Sequence, residues 1–377
     1  MRNTERWDIF CRVVDNFGDA GVCWRLARIL AAEHGFDVRV CIDDVATLAR
    51  LQPQATEGLE VVCWGREGDI PADGVTVIVE AFGCGVPDAY LEDAARQGTR
   101  PLWIVLEYLS AEAWVPEHHG LPSPHPRLPI ERWFFFPGFT PRTGGLLRER
   151  DLLARRDAFG AEAGAACWRE LGFAPPAPSA TTVLVFAYPF APLSELLAAW
   201  ADGPDRVVAA IPDSALAAEA LRFFGATGPP QDRTLTRGAL EVRFVPFVPQ
   251  ARFDELLWSC DVLFVRGEDS IVRAQWAARP FVWHIYAQEE QAHRRKLEAF
   301  VDAYCAGLEP AAAAAVRDLM LAWNHLDGGR VSVGSAWAAY ARLLPVLERH
   351  GREWSERLVQ AGELAAKLAL FSADKLK

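Results

Sequence analysis

The sequence predicts an α/β chain of two Rossmann-like domains facing each other across a cleft. Three observations carry this. Apolar strand-like runs alternate with helical patterns in both halves, as in parallel sheets covered on both faces. The run Ala174-Pro175-Pro176-Ala177-Pro178-Ser179 punctuates the chain between the halves. The chain also opens with a strand, a glycine turn and a helix, the usual start of a nucleotide-binding α/β domain. Its 377 residues suit two or three domains.

In the first half, strands are expected at 7–14, 36–42, 59–64, 75–79, 101–106 and 132–136, with helices at 21–34 and 86–97. The first helix carries Val22, Leu26, Ile29 and Leu30 on one face. A charged segment, 148–158, leads into a helical stretch ending near Leu171. The second α/β pattern has strands at 182–188, 206–211, 240–245, 261–265 and 280–285, with helices at 194–201 and 253–260. The tail, 352–371, reads as one long helix. This gives an N-terminal domain over 1–155, a C-terminal domain over 156–351, and a final helix, 352–377, packing back on the first domain. Ligands of such domains are expected in the cleft, at the carboxyl ends of the strands.

Composition narrows the function classes. Hydrophobic residues make up 51% of the chain and charged residues 24%, which describes a globular protein with large cores. The net charge of −11 argues against a nonspecific nucleic-acid binder, which needs a basic face. No apolar run reaches the roughly 20 residues that span a bilayer. The start runs straight into a strand and reads as having no signal peptide. Eight cysteines without a C-x-x-C pair read as buried thiols in a reduced cytoplasm, not as zinc ligands or disulfides.

Two segments carry the chemistry. The opening turn, Asp15-Asn16-Phe17-Gly18-Asp19, has two carboxylates where a phosphate cradle would present bare N–H groups. Such a turn suits a cation or a proton; an Asx-turn with a helix N-cap would give the same pattern. In the second half, Arg266-Gly267-Glu268-Asp269-Ser270 ends a strand and begins a helix. Gly267 permits a tight turn, Asp269 or Ser270 can cap the helix, and the helix start with Arg266 favours an anion. Glu268 can accept hydrogen bonds from sugar hydroxyls. An ordinary capped helix fits the segment as well. Phe186-Ala187-Tyr188 and Phe247 to Phe253 both follow strands, should sit at the same rim as Arg266 and suit base stacking, with Gln250 reading a base edge; a hydrophobic rim would use the same aromatics. His118 and His119 read as solvated, and His284 as packed or hydrogen-bonded. There is no Asp-x-Asp, no G-x-S-x-G and no G-x-G-x-x-G after the first strand, which disfavours a metal-held diphosphate, an esterase and a dinucleotide enzyme.

Two facing Rossmann-like domains are the layout of the GT-B glycosyltransferases, and the motifs narrow this further. Asp8-Ile9-Phe10-Cys11, Val13 to Asp19, Cys23 to Arg28, Leu106 to Glu112, Phe136-Pro137-Gly138-Phe139, Thr143 to Leu146, Arg266 to Ser270 and Pro280 to Tyr286 together resemble the protein-arginine rhamnosyltransferase family EarP. The resemblance spans nearly the whole chain. It implies dTDP-β-L-rhamnose as donor, an arginine of translation elongation factor P as acceptor, and inversion at the anomeric carbon. It further implies activation of that factor for rescue of stalled ribosomes. Donor binding would fall to the C-terminal domain and acceptor binding to the N-terminal one, with no cofactor, metal, nucleic acid or membrane involved. Carried onto this sequence, the general base falls on Asp19, with Asp15 the neighbouring essential carboxylate. Glu268 matches the essential glutamate of the C-terminal domain. Stacking aromatics fall on Phe186, Phe247 and Phe253, nucleotide contacts on Tyr188, Gln250, Asp269 and Ser270, and diphosphate contacts on Arg266 and Tyr286. The glycine-rich run Phe82-Gly83-Cys84-Gly85 departs from the family pattern and is expected to lie outside these sites.

The rival readings are another GT-B nucleotide-sugar enzyme, with a different acceptor or acting as an epimerase, and a non-catalytic protein that binds nucleotide sugar or a translation factor. An epimerase acts on the donor alone; a binding protein survives loss of Asp19.

Overall fold

The computed structural model describes residues 5–15, 17–52, 58–65, 70–98, 100–287 and 292–377. The chain divides into two compact units, 1–150 with 357–377, and 151–356.

The first unit contains β1 (Arg6–Cys11), α1 (Phe17–His34), β2 (Asp37–Ile42), α2 (Val45–Leu51), β3 (Leu59–Cys63), β4 (Val75–Ala81), α3 (Asp88–Ala95), β5 (Leu102–Leu106), α4 (Val115–His118), β6 (Pro122–Pro124) and β7 (Glu131–Phe135). The second contains α5 (Leu152–Ala158), α6 (Ala161–Glu170), β8 (Thr181–Val185), α7 (Leu193–Ala201), β9 (Val207–Pro212), α8 (Ala215–Phe223), β10 (Thr234–Arg237), β11 (Leu240–Val245), α9 (Gln250–Trp258), β12 (Val262–Arg266), α10 (Asp269–Ala277) and β13 (Phe281–His284). It continues through α11 (Ala292–Cys305), α12 (Pro310–Trp323), α13 (Val333–Ala341) and most of α14 (Leu344–Ala361), before α15 (Leu364–Lys375) in the first unit.

The sheet of the first unit has the order β3-β2-β1-β4-β5-β7-β6. All its pairs are parallel except β6 with β7. The second sheet has the order β10-β11-β9-β8-β12-β13, with only β10 antiparallel. In each sheet the strand order reverses beside the unit's first strand, between β1 and β4 and between β8 and β12. In open α/β sheets that reversal opens a crevice at the carboxyl ends of the strands. Both chemistry-bearing segments leave strands at these points: Asp15 and Asp19 follow β1, and Arg266 ends β12.

The aromatic content goes mostly into cores. In the first unit Phe10, Trp64, Tyr90, Trp103 and Ile130 pack together, and the buried Asp8 takes hydrogen bonds from Arg39 and Tyr90. In the second, Trp200 lies 5.3 Å from Trp337 and Phe264 lies 4.8 Å from Trp323, ring centre to centre. Seven cysteines are buried and Cys63 is exposed; all are free thiols.

Four local expectations change. The strand 7–14 ends at Cys11, and Val14 is exposed. Helix α1 begins at Phe17, so Asp19 belongs to its first turn rather than to a loop. The tail is two helices, because Gly362 adopts a φ of +96° between α14 and α15. A side chain there is unfavourable, as left-handed backbone costs non-glycine residues energy. The Glu363 carboxylate then accepts from Ala365 N–H, Ala366 N–H and Arg148 N–H, and α15 packs on α1. Finally, His119 is half-buried: its Nδ1 accepts the Phe136 N–H at 3.1 Å and its ring packs on Phe135.

Candidate functional site

In the first unit, the stretch after β1 folds onto one carboxylate. Asp19 is fully buried. Its Oδ2 accepts the N–H of Val14 at 2.9 Å and of Asp15 at 2.8 Å, and its Oδ1 lies 3.5 Å from the Tyr108 hydroxyl. The Asp15 carbonyl accepts the Gly18 N–H at 2.7 Å, while the Asp15 side chain is half-exposed. Asn16 lies outside the described residues. The two carboxylates therefore differ in burial: Asp19 is enclosed and held by backbone donors, and Asp15 is half-exposed. A charge held by fixed backbone dipoles needs no rearrangement before reaction, the condition for efficient electrostatic and proton-transfer chemistry.

Phe82, at the end of β4, has a φ of +58°. This conformation is rare for a bulky residue. Its ring stacks on Tyr108, centres 4.4 Å apart and planes 13° from parallel. Phe82, in the run that departs from the family pattern, thus reaches Asp19 through Tyr108. Tyr108 was visible only as part of a motif. Nothing in the sequence tied it to Asp19, 89 positions earlier.

In the second unit, the rim is built from strand ends. Gly267 takes a φ of +63°, which lets the chain turn sharply from β12 into α10. Glu268 occupies the N-cap position without a side-chain capping bond. The expected cap by Asp269 or Ser270 does not form. Instead Ser270 Oγ bonds back to the Arg266 carbonyl and accepts the Arg266 N–H at 3.2 Å, and Asp269 Oδ2 accepts from Gln250 Nε2 at 2.9 Å. Trp283 Nε1–H donates to the Gly267 carbonyl at 3.1 Å.

Arg266 extends over two rings, Phe186 at 4.7 Å and Tyr188 at 4.8 Å. A guanidinium on aromatic faces is held flat and oriented. Phe253 meets Phe186 at 5.9 Å, edge to face, and the 41%-exposed Tyr286 meets Tyr188 at 5.7 Å. Phe247 is half-buried between β11 and α9. Below this layer, His284 is fully buried. Its Nδ1 accepts the Tyr188 N–H at 3.2 Å. Burial first, then the neighbouring His325 and Arg266, lowers its pKa to about 3, so the imidazole is neutral. It is a hydrogen-bonded support for the aromatic layer.

Glu268 is not an open carboxylate. Lys296 of α11 pairs with its Oε1 at 2.8 Å, both side chains being mostly buried. Sequence reasoning missed Lys296, 28 positions away, because a lysine on a polar helix face carries no distinguishing signal. The rim therefore brings together Arg266, the Lys296–Glu268 pair, the Gly267 turn and the start of α10 beside aromatic surfaces.

The chain matches the family described as elongation factor P (EF-P) rhamnosyltransferase EarP over residues 7–373. It is 44% identical to a protein-arginine rhamnosyltransferase of Pseudomonas putida and 42% identical to one of Pseudomonas aeruginosa. Each alignment covers 98% of this chain and 99% of the relative. A relative of the same description from Neisseria meningitidis is 36% identical over 98% of this chain and 97% of its own length. Among solved structures, that of EarP-mediated arginine glycosylation of translation elongation factor EF-P superimposes with a TM-score of 0.68. It is 36% identical and covers 98% of this chain and 99% of that one. An alpha-glucosyltransferase bound to UDP and DNA, 9% identical, covers 99% and 100% of the two chains at a TM-score of 0.51; it shows the fold alone. The fold is that of the GT-B glycosyltransferases, and the chain belongs to the EF-P rhamnosyltransferase family EarP.

Proposed function

We propose that this chain transfers L-rhamnose from dTDP-β-L-rhamnose to an arginine side chain of elongation factor P, with inversion and without a metal ion. The family match over residues 7–373 carries the reading, and the chemistry of the two strand rims supports it.

The donor reads onto the rim of the second unit. Phe186, Phe247 and Phe253 pack the thymine, with Tyr188, Gln250, Asp269 and Ser270 holding the nucleoside. Arg266, Tyr286 and the start of α10 take the diphosphate. Glu268, held by Lys296, meets the sugar.

The acceptor reads onto Asp15 and Asp19. A guanidinium, with a pKa above ~12, is not deprotonated in the ground state by a carboxylate near ~4. The two carboxylates instead orient its planar fork. One nitrogen attacks the anomeric carbon, forming the C–N bond. The bond from that carbon to the diphosphate oxygen breaks, and its electron pair leaves with dTDP. As the C–N bond forms the nitrogen becomes acidic, and Asp19 takes its proton. Arg266 and the helix start neutralise the charge gathering on the leaving diphosphate. The free thiols suit work in the reducing cytoplasm, and no helix of the described residues is long and apolar enough to cross a membrane.

The test is to incubate the chain with dTDP-β-L-rhamnose and elongation factor P and to weigh the factor. One added deoxyhexose, lost when the acceptor arginine is replaced by lysine and retained in the presence of a chelator, is the expected result. No mass gain while both substrates bind would refute the transferase reading.

A further inference from the structure

The starts of α9 and α10 carry the nucleotide-contacting residues, Gln250 on one and Asp269 and Ser270 on the other, yet the sheet does not set their mutual register. Helix α9 follows β11 and α10 follows β12, and these strands are separated in the sheet by β9 and β8. Side-chain links between described residues join the helices instead. At the rim, Gln250 Nε2 donates to Asp269 Oδ2 at 2.9 Å. One turn deeper, at the i+4 position of each helix, Arg273 grips Asp254 with two parallel bonds. Nε meets Oδ1 at 2.7 Å and Nη2 meets Oδ2 at 2.5 Å. Both side chains are almost completely buried, 0% and 5% exposed. A buried ion pair is rarely more stabilising than a well-packed apolar pair of the same size. What a two-toothed pair supplies is a fixed distance and angle.

We propose that Arg273 and Asp254 are positioning residues of the donor site: their bidentate pair fixes α9 against α10, so that Gln250, Phe253, Asp269 and Ser270 hold one register for the nucleotide. The inference rests on the reading of this rim as the donor site. The pair touches no substrate and acts through the Gln250–Asp269 link above it.

Calorimetric titration with dTDP tests it. R273K keeps the charge and loses the planar fork. It should bind dTDP about 10-fold more weakly than wild type. Its KM for the rhamnose donor should rise in step, with kcat changing by less than about 3-fold. In a Q250A background the same substitution should cost less than about 3-fold, because coupled residues are not additive. Should R273K fail to fold, the apolar pair R273M/D254L restores packing without the fork; it should melt near wild type and still bind dTDP weakly. A folded R273K, or a folded apolar pair, that binds dTDP as wild type does overturns the inference. So does a 10-fold loss that persists unchanged in the Q250A background. Failure of wild type itself to bind dTDP is a separate outcome, which overturns the donor-site reading beneath it.

Discussion

The backbone N–H of Asp15 donates to Oδ2 of Asp19 at 2.8 Å, and the N–H of Val14 joins it at 2.9 Å. Asp19 therefore shapes the stretch that presents Asp15, besides any role toward the acceptor. The two roles separate by substitution. Asp19→Asn keeps an oxygen for both N–H groups but holds no proton-accepting carboxylate. Its kcat should fall by ~10²–10⁴, while dTDP affinity and melting temperature stay close to wild type. Asp19→Ala should lose activity and in addition about 1–3 kcal/mol of stability, the cost of unpaired buried donors. Rapid transfer by Asp19→Asn would leave Asp19 as a fastener only.

Gly18 sits where a side chain would strike Asp15. A Cβ there would lie 2.8 Å from Asp15 Oδ2. That oxygen ends a short, half-exposed side chain, so the fold can give way by turning the carboxylate aside. Gly18→Ala should therefore keep its stability within about 1 kcal/mol. It should lower kcat for elongation factor P about 10-fold or more, since small misplacements of an orienting group weigh heavily. Donor binding should not change. Intact-protein melting, dTDP titration and transfer kinetics together check this; wild-type kcat would remove Asp15 from the orienting role.

Arg266 is held over Phe186 and Tyr188 by its flat guanidinium. Lysine has the charge but neither the plane nor the fork. Arg266→Lys should weaken dTDP binding by about 10-fold, equivalent to about 1.4 kcal/mol. Binding of thymidine, which has no diphosphate, should change by less than about 3-fold by the same conversion. Equal losses for both ligands would point to collapse of the aromatic layer instead of loss of a diphosphate contact.

How much of this was legible in the sequence follows from which forces wrote it. Buried parallel strands are largely apolar runs, so β2, β5 and β11 could be read nearly to the residue. The short antiparallel strands β6 and β10 could not, because Pro122-Ser123-Pro124 and Thr234 to Arg237 have no apolar run. Helix α1 starts early for a local side-chain reason that helix propensity does not show. Phe17, Gly18 and Asp19 are poor helix signals, and it is the Asp19 carboxylate, taking the N–H groups of residues 14 and 15, that organises the entry. The rim residues were legible because each leaves the carboxyl end of a strand. Their supports were not: Lys296 beneath Glu268, Tyr108 beside Asp19 and Arg273 against Asp254 are contacts between distant positions, and local pattern does not encode them.

His284 makes the second unit sensitive to acid. Its Nδ1 accepts the Tyr188 N–H, and burial lowers its pKa to about 3. In the unfolded chain a histidine titrates near ~6.5. Between these values the unfolded state binds the extra proton, so stability rises with pH across that window. The contribution is fully present above about pH 6.5 and is lost as pH falls toward 3. Going from pH 7 to pH 5, this one residue should cost about 2 kcal/mol. Asn in its place can still accept the Tyr188 N–H but does not titrate. Urea unfolding of wild type and His284→Asn at the two pH values measures the difference. The variant should lose about 2 kcal/mol less than wild type on acidification. Equal losses would show that His284 takes up its proton as readily in the folded protein as in the unfolded one, and that its burial does not hold it neutral.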